Sequence, residues 1–224
     1  MFTKKTPKRE TVGGTSLTFH TLTDYPKEHW YNGYINVVSI DPGIVNFGFR
    51  IETRHSNSKV ETVVLTRQCF SKAIVNEGYY NSLYLDVISW LSLYESYFNN
   101  CHVFIIERQI PENYQSVRLS QHIVSYLLCS LLKSPIKPII AEIDPGSKYK
   151  QLGAPAGYNK IALKKWGIEY AYELLKQRND QMALDIVLGT KGIRGQKKQD
   201  DLCDTIIQVE AFWSLFNIPI VKLN

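Results

Sequence analysis

Cysteine is scarce in this chain, and no cysteine lies near another. Cys69, Cys101, Cys129 and Cys203 form no CxxC pair and no Cys/His cluster. That argues against a zinc site and a disulfide framework, and free thiols suit a reducing, intracellular compartment. The five histidines, His20, His29, His55, His102 and His122, make no HExxH pattern and are read as surface or core residues. Long hydrophobic runs are also missing. The most apolar stretch, 123–132, is too short and too interrupted by Ser and Tyr to span a bilayer. Lys4, Lys5, Lys8 and Arg9 are not followed by an apolar run, so no secretory signal is read and a soluble protein with no membrane partner is expected. With 44% hydrophobic and 21% charged residues, the composition excludes a fully disordered, collagen-like or coiled-coil chain. At roughly 150 residues per domain, 224 residues give one domain plus an arm, or one enlarged domain.

Charge is present in both signs, but unevenly. The formal net charge is +5, and residues 144–198 hold 11 basic and 5 acidic residues, a net of +6. The rest of the chain is close to neutral. One basic segment in an otherwise balanced chain is the footprint of a phosphate-backbone partner, although a solvated Lys-rich face gives the same count.

Residues 1–35 mix Thr, Lys, Gly and Pro without apolar periodicity and read as an extended arm, leaving 36–224 as the folded domain. Within it, 35–41 is a buried strand broken by Pro42-Gly43, and 46–51 and 60–68 complete an antiparallel meander. A helical pattern over 79–98, a buried strand at 102–107, an apolar helix at 117–132 and a strand at 138–143 follow. Helices at 160–176 and 200–216 close the chain. The order β-β-β-α-β-α-β-α-α predicts a mixed α/β fold with helices on both faces, and it is the order of the ribonuclease H-like fold.

Acids stand where these apolar elements end. Asp41 closes the first strand, Glu107 closes the fourth, and Asp201 and Asp204 open the last helix beside its stripe of Leu202, Ile206, Val209, Trp213 and Phe216. Three residues apart on a helix, the two aspartates project within ~60° of each other. Taken singly, each acid is explained by a turn, a strand end or a helix cap. Taken jointly, four carboxylates converging on one point need cations, and hard oxygen donors suit Mg²⁺ or Mn²⁺. Two such ions ~3.5–4 Å apart serve phosphodiester hydrolysis.

These segments are familiar. Val38-Ser-Ile-Asp41-Pro-Gly-Ile-Val-Asn-Phe-Gly48 resembles the first strand of RuvC-like Holliday junction resolvases, Ile105-Ile-Glu107-Arg-Gln109 is similar to their second acidic motif, and Lys197-Lys-Gln-Asp-Asp201-Leu-Cys-Asp204 resembles the third. The form of the third is most similar to that of poxvirus and other large DNA virus resolvases. The resemblance covers about residues 36–216. It implies a ribonuclease H-like fold, a homodimer, two Mg²⁺ ions (Mn²⁺ substituting) and symmetrical nicking of four-way DNA junctions during recombination or resolution of viral replication intermediates. It also implies that Asp41, Glu107, Asp201 and Asp204 are metal ligands, with Asp200 as an alternative to Asp201.

The family uses lysines after the fifth strand. Lys150 and Lys160 look like the equivalents at the scissile phosphate, with Lys148 an alternative to Lys150. Lys148, Lys150, Lys160, Lys164, Lys165, Arg194, Lys197 and Lys198 are expected to touch DNA. A second Ile-Asp-Pro-Gly at 143–146 is assigned to a turn leading into the basic loop, because nothing around it repeats with it. The stretch 185–195, with Gly189, Gly192 and Gly195, has no equivalent in the cellular resolvases, and its glycines suggest a mobile loop that could approach DNA. Two other readings stay open: a ribonuclease H-like nuclease for flaps or RNA–DNA hybrids, and a non-catalytic junction-binding protein. The resemblance also leaves host cytoplasm, a viral replication site, mitochondrion and nucleus open as locations.

Overall fold

The computed structural model describes residues 8–12, 15–20, 33–70, 80–189 and 199–216. A seven-stranded mixed sheet organises them. Its strands are β1 (Lys8–Val12), β2 (Thr15–Phe19), β3 (Tyr34–Pro42), β4 (Phe47–His55), β5 (Val60–Gln68), β6 (Val103–Glu107) and β7 (Ile139–Ile143), in the spatial order β1-β2-β7-β6-β3-β4-β5. The meander β3-β4-β5 is antiparallel, β6 lies parallel to β3, and β7 lies parallel to β6. The strands at the centre are apolar and β-branched, as expected where both faces of a sheet are covered.

The helices are α1 (Tyr80–Ser92), α2 (Glu95–Phe98), α3 (Tyr114–Ser130), α4 (Pro145–Gln151), α5 (Lys160–Gln177), α6 (Gln181–Gly189) and α7 (Asp200–Phe216). On one face Leu83, Val87 and Leu91 of α1 and Leu119, Ile123 and Leu127 of α3 pack with Val38, Ile40, Phe49, Phe104 and Ile106. On the other, Val209, Ala211 and Phe212 of α7 meet Ile35, Val37, Val103, Ile105 and Ala141. Outside α7, Ala171 and Leu175 of α5 and Ala183 and Val187 of α6 pack on Leu202, Cys203, Ile206 and Ile207. Enclosed between the sheet and a second helical layer, α7 is buried well beyond the single stripe its pattern suggests.

The structure differs from the sequence reading in three places. Within the expected arm, β1 and β2 form a hairpin that joins the sheet, with Leu17 opposite Ile143 and Phe19 opposite Ala141. Leu17 and Phe19 are buried; a two-residue alternation is too short to stand out among Thr, Lys and Gly. The expected basic loop after Asp144 is helical, as α4, with Pro145 in its first turn, where a missing N–H is harmless. The first part of 185–195 belongs to α6, started by Asp180 Oδ1 accepting the Ala183 N–H at 3.2 Å; Gly192 and Gly195 lie outside the described residues.

The α7-facing side of β4 is charged yet closed to water. Arg50, Glu52 and Arg54 are buried there. Arg50 lies 2.9 Å from Glu52, Arg54 2.5 Å from Glu52, and Arg54 and Arg178 both reach Glu210, at 2.8 and 2.5 Å. Thr62 donates to Asp180 at 2.5 Å and accepts from Arg50 at 2.8 Å. These pairings let charged positions of a regular strand pack under a helix.

Candidate active site

Three elements deliver the acids. In the parallel pair β3–β6, Ser39 lies beside Ile105 and Ile40 beside Ile106. The next residues along each strand, Asp41 and Glu107, therefore leave the sheet together, close enough for each carboxyl to feel the other's charge. Asp204 arrives from the first turns of α7. That helix can come close because Asp41 pairs across the sheet with Gly48. A Cβ on Gly48 would stand 2.7 Å from the Asp201 carbonyl oxygen, 2.9 Å from Thr205 Cγ2 and 3.3 Å from Asp41 Cβ.

The cluster closes around Lys148 of α4. Its ammonium donates to Glu107 Oε1 at 2.7 Å and lies 2.8 Å from Asp204 Oδ1, with the side chain 1% exposed. The Tyr149 hydroxyl donates to the same Asp204 oxygen at 3.0 Å, and its ring is held against Gly167 of α5, where a Cβ would meet Tyr149 Cε1 at 3.0 Å.

Burial, and then the charge of Glu107, push the Asp41 carboxyl well above its ordinary value. Burial would raise Glu107 as well, but the Lys148 ammonium holds it below. Asp204 is raised, chiefly by burial, against the opposing pull of Lys148. Burial opposes the charge on Lys148, yet Asp204 and Glu107 raise it well above the usual range. Three carboxylates thus face one ammonium, and this excess of buried negative charge opposes ionisation of Asp41 and Asp204.

Of the four acids singled out in the sequence, Asp41, Glu107 and Asp204 come together. Asp201 sits a turn earlier on α7, its carboxylate 3.8 Å from Arg67, and Asp200 is ion-paired with Lys164. Among the lysines the expectation shifts. Lys150 and Lys160 are exposed, whereas Lys148 is buried at the acids. The helical turn of α4 points position 148 inward and position 150 out, so Lys148 stands as a buried counter-ion to Glu107 and Asp204. Lys165 is exposed and 3.8 Å from Glu169. Arg194, Lys197 and Lys198 lie outside the described residues. Nothing in the sequence context of Tyr149 marks it as a partner of Asp204. Trp166 and Tyr170 stack on each other, ring centres 4.9 Å apart, on α5. Among the described residues, no three acidic, His or Cys side chains stand ready-made around one metal position.

This topology, with acids at the ends of two adjacent parallel strands and at the start of the helix crossing them, is a ribonuclease H-like fold of the resolvase type. It is similar to the crystal structure of the yeast mitochondrial Holliday junction resolvase Ydc2, with a TM-score of 0.58 over 85% of this chain and 84% of that one, at 18% identity. The chain shares the fold of that resolvase. No family model matches it. Two viral proteins align with part of it: Uncharacterized protein 97L of Invertebrate iridescent virus 3, 31% identical over 119 residues (53% of this chain, 51% of that protein), and Uncharacterized protein 170L of Invertebrate iridescent virus 6, 30% identical over 139 residues (54% of each). The chain spans about half the length of these curated relatives.

Proposed function

We propose that this protein is a Holliday junction resolvase of viral type, a homodimer that nicks four-way DNA junctions symmetrically by metal-dependent phosphodiester hydrolysis. The observation that carries this reading is the convergence of Asp41, Glu107 and Asp204 from β3, β6 and α7 on a resolvase fold. Chemically the donors fit a hard divalent cation: they are all carboxylate oxygens, and negative charge exceeds the single ammonium among them. Asp41, Glu107 and Asp204, with Asp201 beside them, would hold Mg²⁺ or Mn²⁺. Bound there, such ions polarise the scissile phosphate and lower the pKa of an attacking water.

The protein's own groups do the rest. Lys148 keeps a positive charge fixed at the bottom of the site, available to oppose charge developing on the phosphate oxygens. Tyr149 holds one oxygen of Asp204, leaving the carboxylate a defined orientation. The exposed Lys150, Lys160 and Lys165, together with Arg194, Lys197 and Lys198, would contact phosphates without reading bases. Two such sites related by a two-fold axis match a substrate with two equivalent strands to cut.

The test uses a labelled four-way junction, a linear duplex, a flap and an RNA–DNA hybrid, each with Mg²⁺, Mn²⁺ or EDTA. Paired, ligatable nicks in the junction alone are expected, abolished by EDTA and by Asp204→Asn while junction binding survives. Cleavage of the hybrid or flap in preference to the junction would overturn the substrate assignment. Tight junction binding without a cut under either metal would overturn the catalytic one.

A further inference from the structure

Directly beneath the acids lies a second polar layer that the chemistry above does not use. Gln208 of α7 is fully buried, as are Ser39 of β3 and Thr205 of α7. The Gln208 amide nitrogen donates to Ser39 Oγ at 2.5 Å, with the Ile40 carbonyl at 3.2 Å and the Ile105 carbonyl at 3.3 Å. Ser39 Oγ in turn donates to the Thr205 carbonyl at 2.7 Å. Two main-chain carbonyls can only receive a hydrogen bond, so the surroundings themselves fix which end of the amide points to the strands.

The positions of these groups match the positions of the acids. Ser39 precedes Asp41 by two residues and Ile105 precedes Glu107 by two, a step of about 7 Å along the same face of a strand. Gln208 follows Asp204 by four, one turn or about 5.4 Å along the same face of a helix. One amide therefore ties together the three elements that carry the acids, one step below the point where the acids emerge. An apolar side chain would serve packing equally well in this environment, since Val209 and Ile207 on either side are fully buried. A buried amide is costly when unsatisfied, by about 1–3 kcal/mol; here the nitrogen finds its partners on β3 and β6, while Oε1 is buried without a hydrogen bond, so packing alone does not account for an amide at this position.

We propose that Gln208 is a positioning residue for the candidate metal centre, setting the separation of Asp204 from Asp41 and Glu107 through its bonds to Ser39, Ile40 and Ile105. This rests on the metal-dependent reading given above. It acts through the ligands and touches neither substrate nor metal. Partners that orient metal ligands typically alter metal affinity about 10–100-fold when removed.

The experiment measures Mn²⁺ binding to the full chain by electron paramagnetic resonance of the free ion, without DNA, alongside thermal melts in EDTA. Three variants are compared with the unaltered protein. Gln208→Met keeps the length and removes the donor, Val209→Ala opens the neighbouring core without touching the bonds, and Asp204→Asn removes a ligand. Expected are loss of Mn²⁺ binding in Asp204→Asn, an affinity about 10-fold or more weaker in Gln208→Met, and an affinity within about 2-fold of the unaltered protein in Val209→Ala despite its lower melting temperature. Unchanged affinity in Gln208→Met would overturn the positioning role. Equal weakening in Val209→Ala would also overturn it, by showing that any loosening of α7 has the same effect. If the unaltered protein binds no Mn²⁺, or Asp204→Asn binds as well as it does, the metal reading itself falls and the role of Gln208 falls with it. Those results are distinct from a failure confined to Gln208.

Discussion

Replacing Lys148 with Met keeps the volume of the side chain and removes the only positive charge hydrogen-bonded to Glu107 and Asp204 among the described residues. Its ammonium stands 2.7 and 2.8 Å from those carboxylates and is almost wholly buried. Removing one partner of such an arrangement leaves uncompensated buried charge, and comparable deletions cost about 3–5 kcal/mol. In a domain of this size each kcal/mol moves Tm by roughly 2–4 °C, so a fall of about 10 °C is expected at neutral pH in EDTA. The pH dependence gives a sharper check. Asp41 and Asp204 already titrate above their ordinary value, and loss of the ammonium pushes them higher. A carboxyl whose pKa is raised by folding contributes stability that is present below its unfolded value and lost as pH rises through its folded value. The deficit of Lys148→Met should therefore shrink on acidification toward the ordinary aspartate range and widen toward pH 8. Urea titrations at several pH values in EDTA measure it, with Lys150→Met, an exposed neighbour, as a control expected within about 0.5 kcal/mol of the unaltered protein. A deficit that is absent, or independent of pH, would refute the counter-ion role.

Two further outcomes follow from the packing around the site. Gly48→Ala places a Cβ 2.7 Å from the Asp201 carbonyl oxygen and 3.3 Å from Asp41 Cβ, so α7 must shift away from β4. A loss of about 1–3 kcal/mol is expected by denaturation, with junction cleavage reduced more than stability alone explains; full activity would show that the close approach is dispensable. His102 is buried and its Nδ1 accepts the Asn36 N–H at 3.1 Å, and burial lowers its pKa to about 4. The folded state thus excludes a proton that the unfolded chain takes up, and stability should fall as pH drops from about 6.5 through about 4, by up to roughly 3 kcal/mol. His102→Gln should flatten that slope, and an unchanged slope would assign the acid sensitivity elsewhere.

The parts of the fold that were legible in the sequence are those where hydrophobicity changes abruptly. The strands ending in Asp41 and Glu107 are apolar runs cut off by a carboxylate, and the structure ends β3 and β6 around those residues. Less legible was any feature whose meaning depends on a partner far along the chain. Arg50, Glu52 and Arg54 alternate with apolar residues as a solvated strand face would, yet Asp180, Arg178 and Glu210 come from distant elements to neutralise them. Lys148 and Lys150 are chemically identical candidates until α4 is known to be helical; Asp144-Pro145 was the local signal, since an acid followed by proline commonly opens a helix. Cys203, Thr205 and Gln208 lie outside the apolar stripe of α7 and are nonetheless buried, because the helix is covered on both sides: Leu202 and Ile206 of the stripe meet α5 and α6 together with Cys203, whereas Thr205 and Gln208 face the strands.

The hairpin β1–β2 bears on the order in which the sheet is completed. It precedes every other described strand in the chain, yet its neighbour in the sheet is β7, and the His20–Glu142 contact that accompanies this pairing joins residues 122 positions apart. During synthesis the hairpin emerges well before the strand it joins, and the entropy lost in closing so long a loop is offset by pairing only once β7 is held in place by β6. The last act of folding is thus expected to be the seating of the first strands made. Until then β7, two places from the strand that carries Asp41, is an open edge able to pair with any extended segment that reaches it.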